Sequence, residues 1–166
     1  MPKQIKKKEL KAGEKPAAVV TVIAMAAGLV FAALFIILIP DIDSSTEQVQ
    51  FVKAISAAAG YVLFVLISIL AVVLNLRSYN SSKQMGDAMR AFFAGVSVFT
   101  ALLSIRFMLA LFFAGLDNRD MVDKIIGDNS YSQFIQNQAP SFACLVIALS
   151  VMLFTGISAI VKLASR

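Results

Sequence analysis

The sequence predicts an all-α integral membrane protein built on a four-helix transmembrane bundle. Of its 166 residues, 59% are hydrophobic and 15% are charged, whereas soluble domains average roughly 45–50% and 25%. Four apolar runs each exceed the roughly 18 residues that suffice to cross the hydrocarbon of a bilayer. They are Ala17–Ile39, Ala54–Leu76, Ala91–Leu116 and Ser141–Val161. Four such runs in so short a chain would leave a soluble fold little polar surface.

Residues 1–15 are predicted to form a basic cytoplasmic tail, followed by a single transmembrane domain over residues 16–166. The tail carries six lysines, which are Lys3, Lys6, Lys7, Lys8, Lys11 and Lys15. These charges can act as a topogenic signal, bind anionic lipid headgroups at about 1 kcal/mol per lysine, or dock an acidic partner. The first apolar run has 23 residues, more than the roughly 7–15 of a signal peptide, so we predict a membrane helix there.

The distribution of charge orients the four helices. With Arg106 set aside, the N-terminal tail, the polar connection from Arg77 to Arg90 and the C-terminus hold eleven lysines and arginines, whereas the other two connections hold three. Acidic residues have the opposite bias, three against seven. Lysine and arginine are enriched on the cytoplasmic side of membrane proteins. Both termini are therefore predicted to be cytoplasmic, in a multi-pass protein of a bacterial or archaeal cytoplasmic membrane.

The second outer connection, from Asp117 to Pro140, contains a short amphipathic segment. Its apolar residues fall at helical spacing, with charged residues between them. They are Met121, Val122, Ile125 and Ile126. We interpret this segment as an interfacial helix lying on the membrane, and a docking platform for a partner is the alternative.

Small and weakly polar side chains mark the helix faces expected to meet. Helices associate in lipid through such residues, because lipid tails are as apolar as leucine. The first run offers Ala24 and Gly28, and the third offers Gly95 and Ala110. We predict packing faces there.

The second run carries a polar face of its own. It places Tyr61, Ser68 and Asn75 seven residues apart, so the three side chains point the same way. We favour packing against other helices over the lining of a pore.

Arg106 is the only charged residue inside the four runs. A guanidinium at bilayer depth costs roughly 2.5–3.5 kcal/mol on insertion scales, so a compensating contact is expected. Counting the helical rise from the membrane midplane places Tyr61 and Ser150 at a similar level. No aspartate or glutamate lies within the runs, so none of the four helices offers a carboxylate at this depth.

Three interpretations of Arg106 follow. It is structural, capped by Tyr61 and backbone carbonyls or reaching outward to the interface. It pairs with an aspartate, a glutamate or a lipid headgroup supplied by a partner. It lines a path for an anion or a small solute.

Several kinds of chemistry lack the residues they need. The chain has no histidine and a single cysteine, Cys144, so we expect no haem, copper or cysteine-cluster metal site, no other cofactor and no catalytic residues. We predict a non-enzymatic accessory or scaffold subunit of a membrane complex, with lipid and other membrane subunits as partners and no nucleic acid. A small oligomeric channel or carrier, with Arg106 lining its path, is the alternative.

Overall fold

The computed structural model of the protein describes residues 13–38, 47–127 and 137–165. Six helices are assigned there, with no β-strand in these ranges. They are α1 (Glu14–Leu38), α2 (Glu47–Ser82), α3 (Met85–Leu103), α4 (Ile105–Gly115), α5 (Arg119–Ile126) and α6 (Ala139–Ala164). Four of them, α1, α2, α3 and α6, are long and apolar enough to cross a membrane. This confirms the predicted all-helical chain with four candidate spans.

The helices α2 and α6 each pack against both α1 and α3, which places α1 and α3 diagonally across a four-helix bundle. Aromatic side chains fill its centre. The ring of Phe31 stacks on that of Phe64 at a centroid distance of 6.2 Å and meets the edge of Tyr61 at 5.6 Å. Phe31, Phe64 and Met152 are fully buried, so the interior is a packed core.

Small residues set how closely the helices approach. A Cβ atom added to Gly156 of α6 would lie 2.5 Å from the Cβ atom of Met25 in α1, closer than packed atoms can be. At Gly28 the added atom would lie 3.0 Å from the ring of Phe64. Ala24 and Ala110, the other small residues predicted to pack inside, are fully buried. The α1–α6 and α1–α2 crossings therefore depend on these small side chains.

Gly95 differs from these residues. A Cβ atom added there would meet no atom within 4 Å among the residues that the structure describes. The reason is its position on the outer face of α3, between Phe92 and Phe99, which are 66% and 63% exposed. Gly95 thus forms a notch in the surface of the bundle and packs against none of the other helices that the structure describes.

The connection between α2 and α3 is far shorter than the polar segment predicted from Arg77 to Arg90. Only Lys83 and Gln84 lie between the two helices. Lys83 has a positive φ of 54°, the left-handed conformation that commonly ends a helix, and its N–H donates to the carbonyl of Tyr79 at 2.7 Å. The polar residues on either side are therefore helical, and some of them face the interior.

The third apolar run is divided at Ser104 into α3 and α4, where one helix was predicted. The N–H of Ser104 donates to the carbonyl of Ala101 at 3.0 Å, a tighter turn than the α-helix. Its hydroxyl donates to the carbonyl of Ser141 in α6 at 2.7 Å. A serine that bonds to backbone in this way competes with regular helix geometry, and α4 continues as a separate helix of 11 residues.

The amphipathic segment of the outer connection forms α5, which packs on α4. Val122 and Ile125 are half-buried against the core, and Met121 is also half-buried. Ile126 is its last residue. Asp120, Asp123 and Lys124 are exposed. The apolar face of α5 is thus turned towards its own bundle.

Candidate functional site: a buried charged cluster

Four charged side chains meet at one end of the bundle, where α1 and α3 begin and α2 and α6 end. We call this the polar end, and the four residues the charged cluster. The cluster consists of Glu14, Asp87, Arg90 and Lys162, which are 1%, 1%, 7% and 9% exposed. Charged side chains are seldom buried to this degree unless they are paired.

Asp87, in the first turn of α3, is the centre of the cluster. Its Oδ1 atom accepts hydrogen bonds from Nζ of Lys162 at 2.6 Å and from Nη2 of Arg90. Its Oδ2 atom accepts from the hydroxyls of Ser78 at 2.6 Å and Ser82 at 3.3 Å. One carboxylate therefore joins the end of α2, the start of α3 and the end of α6.

The remaining contacts extend the cluster to α1. Nζ of Lys162 lies 3.8 Å from Oε2 of Glu14, and Nε2 of Gln84 donates to Oε1 of Glu14 at 3.1 Å. Nη1 of Arg90 donates to the hydroxyl of Ser158 at 3.3 Å. Two acids and two bases balance in formal charge, which lowers the cost of burying each of them.

Sequence reasoning missed this cluster because it assigned residues 77–90 to a loop. In the charge count Asp87 and Arg90 serve only to orient the helices, whereas in the structure they lie one helical turn apart on a buried face of α3. A signal was nevertheless present in α2. Ser78 and Ser82 lie three and seven residues after Asn75, so they continue the polar face of that helix.

Deeper in the bundle, the polar face of α2 points inward. Ser68 and Asn75 are fully buried and Tyr61 is 6% exposed. Nδ2 of Asn75 donates to the hydroxyl of Thr21 in α1 at 2.8 Å, and the hydroxyl of Tyr61 donates to the carbonyl of Ala101 in α3 at 2.7 Å. Asn75 and Tyr61 therefore link α2 to α1 and α3.

A further hydrogen bond joins α3 to α6, since the hydroxyl of Ser97 donates to the carbonyl of Ala148 in α6 at 2.7 Å. Together with Ser104, it joins α3 and α4 to α6. Hydrogen bonds thus join α3 to both α2 and α6.

Arg106 lies near the start of α4 with its side chain exposed. Its Nε and Nη2 atoms donate to the carbonyl of Ile125 at 3.1 and 2.6 Å. That carbonyl belongs to the last turn of α5, where helix geometry leaves acceptors without intrahelical donors. The guanidinium thus binds α5 to α4. Ser150 is exposed on α6.

Replacing Arg106 with leucine is expected to loosen α5. A helix of eight residues is marginal on its own, and the variant loses both hydrogen bonds to the Ile125 carbonyl. Hydrogen exchange measured by mass spectrometry in lipid nanodiscs should show faster exchange at residues 122–126. Lys124→Leu, which removes an exposed cation from α5 itself, is the control and should leave exchange unchanged. Equal protection in Arg106→Leu and the natural protein would contradict this role.

A cleft of about 360 Å³ opens between α3 and α6 beside the charged cluster. Its wall is formed by Gly86, Met89, Arg90, Phe93, Val151, Phe154, Thr155 and Ser158. Arg90 is the only charged residue of this wall, and its Nε atom is buried with no hydrogen-bond partner among the described residues. The cleft therefore joins an apolar surface to a buried cationic donor.

Of the predicted basic tail, Lys15 lies in the described residues and is exposed, whereas Lys3, Lys6, Lys7, Lys8 and Lys11 lie outside them. Cys144 is a half-buried free thiol. In the described ranges no group of three or more histidine, cysteine, aspartate or glutamate side chains could hold a metal ion.

Comparison of the chain with protein-family models, with curated proteins and with solved structures finds no match.

Proposed function

We propose that this protein is a non-enzymatic accessory or scaffold subunit of a multi-subunit complex in a bacterial or archaeal cytoplasmic membrane. It crosses the membrane four times with both termini in the cytoplasm, so that the polar end of the bundle faces the cytoplasm. The excess of lysine and arginine at that end supports this orientation.

The observation that carries the proposal is the use of the interior polar groups. A carrier or channel directs such groups to a path through the protein. Here the polar side chains bond to other helices of the same chain, as Asp87, Lys162 and Asn75 do. Aromatic rings fill the centre of the bundle between the helices. These bonded groups hold the bundle together, which favours a scaffold over the alternative of a channel or carrier.

The outer face of α3 is the surface that we assign to a partner subunit. Gly95 leaves a notch between the exposed rings of Phe92 and Phe99. Small residues at helix surfaces let the backbone of a second transmembrane helix come close, and the flanking rings would pack on either side of it. We assign this notch to a transmembrane helix of another subunit.

The unit formed by α4 and α5 supplies a second contact, outside the membrane. Arg106 holds α5 in place, and the exposed Asp120, Asp123 and Lys124 are available to a polar partner surface. In this proposal Arg106 contributes to assembly by positioning α5. A partner carboxylate on Arg106 itself would add to that role.

Affinity purification of the tagged protein from native membranes, followed by quantitative mass spectrometry, tests the proposal. We expect partner subunits to co-purify and Gly95→Leu to reduce their recovery about tenfold, since overpacking typically costs 1–3 kcal/mol. Ala59→Leu, at an exposed alanine of α2, is the matched control and should keep the partners. Recovery of the protein alone, together with anion or solute flux in reconstituted vesicles that Arg106→Ala abolishes, would support the channel alternative instead.

A further inference from the structure

The cleft between α3 and α6 has the polarity of a lipid-binding groove. Gly86, Arg90 and Ser158 line the part nearest the polar end, whereas Phe93, Val151 and Phe154 line the part deeper in the bundle. At about 1.5 Å of rise per residue, Phe93 lies roughly 10 Å further along α3 than Gly86. A molecule with a polar head and an apolar tail matches this order.

The cationic part of the groove has unused hydrogen-bonding capacity. Arg90 is 7% exposed, and its Nη2 and Nη1 atoms are occupied by Asp87 and Ser158. Its Nε–H has no acceptor among the described residues, and a buried donor left without a partner is costly. A small rotation of the Arg90 side chain, which lines the cleft, would turn this group towards it, where a phosphate oxygen would satisfy it with a charge-assisted hydrogen bond.

The start of α3 adds to the attraction for an anion. Gln84 occupies the N-cap position and makes no side-chain capping bond, and the N-terminus of a helix favours negative charge. Gly86, in the first turn, presents no side chain to block the approach. Asp87 is not part of the cleft wall, and its charge is directed to Lys162 and Arg90 on the interior side.

The size of the cleft limits its occupant. Its volume of about 360 Å³ is at the lower end of small-molecule sites, which run from about 300 to 1,000 Å³. An α-helix with its side chains is about 10–12 Å across, too wide to enter. A single acyl chain fits, with Phe154 and Met89, 72% and 56% exposed, along its open side.

We propose that this cleft binds one anionic phospholipid, with its phosphate on Arg90 and an acyl chain along Phe93, Val151 and Phe154. Basic pockets between helices on the cytoplasmic side of membrane proteins bind the headgroups of such lipids. The residues that line this site include neither the lysines of the basic tail nor the residues of the notch at Gly95. The site does not depend on the proposed role as a complex subunit.

Native mass spectrometry of the purified chain in neutral detergent tests the proposal, with phosphatidylglycerol and phosphatidylcholine supplied at equal concentration. We expect one phosphatidylglycerol per chain, retained about tenfold over phosphatidylcholine. The phosphate of phosphatidylcholine can accept the same hydrogen bond, but its choline cation would be repelled by the guanidinium of Arg90. Val151→Trp fills the cleft without touching the charged cluster and should abolish retention. Val73→Trp, at an exposed position of α2 outside the cleft, should retain phosphatidylglycerol as the natural protein does.

Two further measurements separate the contribution of the headgroup to binding from that of the acyl chain. Arg90→Gln should bind both lipids equally, and inorganic phosphate should fail to displace phosphatidylglycerol. Equal retention of the two lipids by the natural protein, or unchanged retention by Val151→Trp, would overturn the proposal. Full displacement by inorganic phosphate would also overturn it, since it would indicate an anion site without an acyl chain. If Arg90→Gln does not fold, Val151→Trp and Val73→Trp still decide the outcome.

Discussion

Replacing Asp87 with leucine is expected to destabilise the bundle by about 3–5 kcal/mol, the usual consequence of removing one partner from a buried ion pair. The variant leaves Arg90 and Lys162 buried with Glu14 as the nearest remaining carboxylate, 3.8 Å from Lys162. It also removes the acceptor of the Ser78 and Ser82 hydroxyls. Unfolding of the purified protein with increasing sodium dodecyl sulfate in mixed micelles measures the change.

Two further variants show whether the loss comes from the uncompensated charge. Asp120→Leu removes an exposed aspartate of α5 and should change the free energy of unfolding little. Asp87→Asn combined with Lys162→Met removes one charge of each sign, so it should be more stable than Asp87→Asn alone. A variant Asp87→Leu as stable as the natural protein would show that the cluster does not hold the four helices together.

Replacing Gly156 with valine is expected to separate α1 from α6 and to cost about 1–3 kcal/mol or more, because overpacking forces the backbone to move. The added Cβ atom would lie 2.5 Å from the Cβ atom of Met25. Since a Cβ atom moves only with its backbone, the clash cannot be relieved by rotating the end of the methionine side chain. The same unfolding measurement in mixed micelles reports the loss.

Gly95→Val is the matched control for this prediction. It introduces the same side chain into a transmembrane helix, with the same change in helix propensity, where no described atom lies within 4 Å. The isolated protein should therefore tolerate it. Combining Met25→Gly with Gly156→Ala removes the Cβ atom at the crossing and should recover part of the stability that Gly156→Ala loses. Equal losses from Gly156→Val and Gly95→Val would contradict the close α1–α6 crossing.

The candidate spans were predictable because hydrophobic length is a property of each segment alone. The same is true of α5, whose apolar residues recur at helical spacing within one short stretch. Ser104 shows the limit of this reasoning. Its effect depends on the carbonyl of Ser141, 37 residues away, and no local pattern in the third run indicates where that acceptor lies.

The charged cluster was not predictable in the same way. Asp87 and Arg90 follow a stretch of polar residues, which is typical of a loop, and their partners Glu14 and Lys162 lie near opposite ends of the sequence. Burial of these side chains depends on four helices meeting at one end. Arg106 is unusual by its position in an apolar run. The Ile125 carbonyl that accepts its hydrogen bonds lies on α5, and the sequence does not indicate where α5 packs.

The charged cluster also has a consequence for the order in which the membrane domain is assembled. Glu14, Asp87 and Arg90 belong to the first three spans, and together they carry one net negative charge. Lys162, near the end of α6, supplies the missing positive charge. A chain that has inserted only its first three spans therefore carries this negative charge without its partner. Insertion of the last span closes the bundle and brings Lys162 to the charged cluster. The formal charges of the cluster therefore balance only when the final helix of the nascent chain is in place.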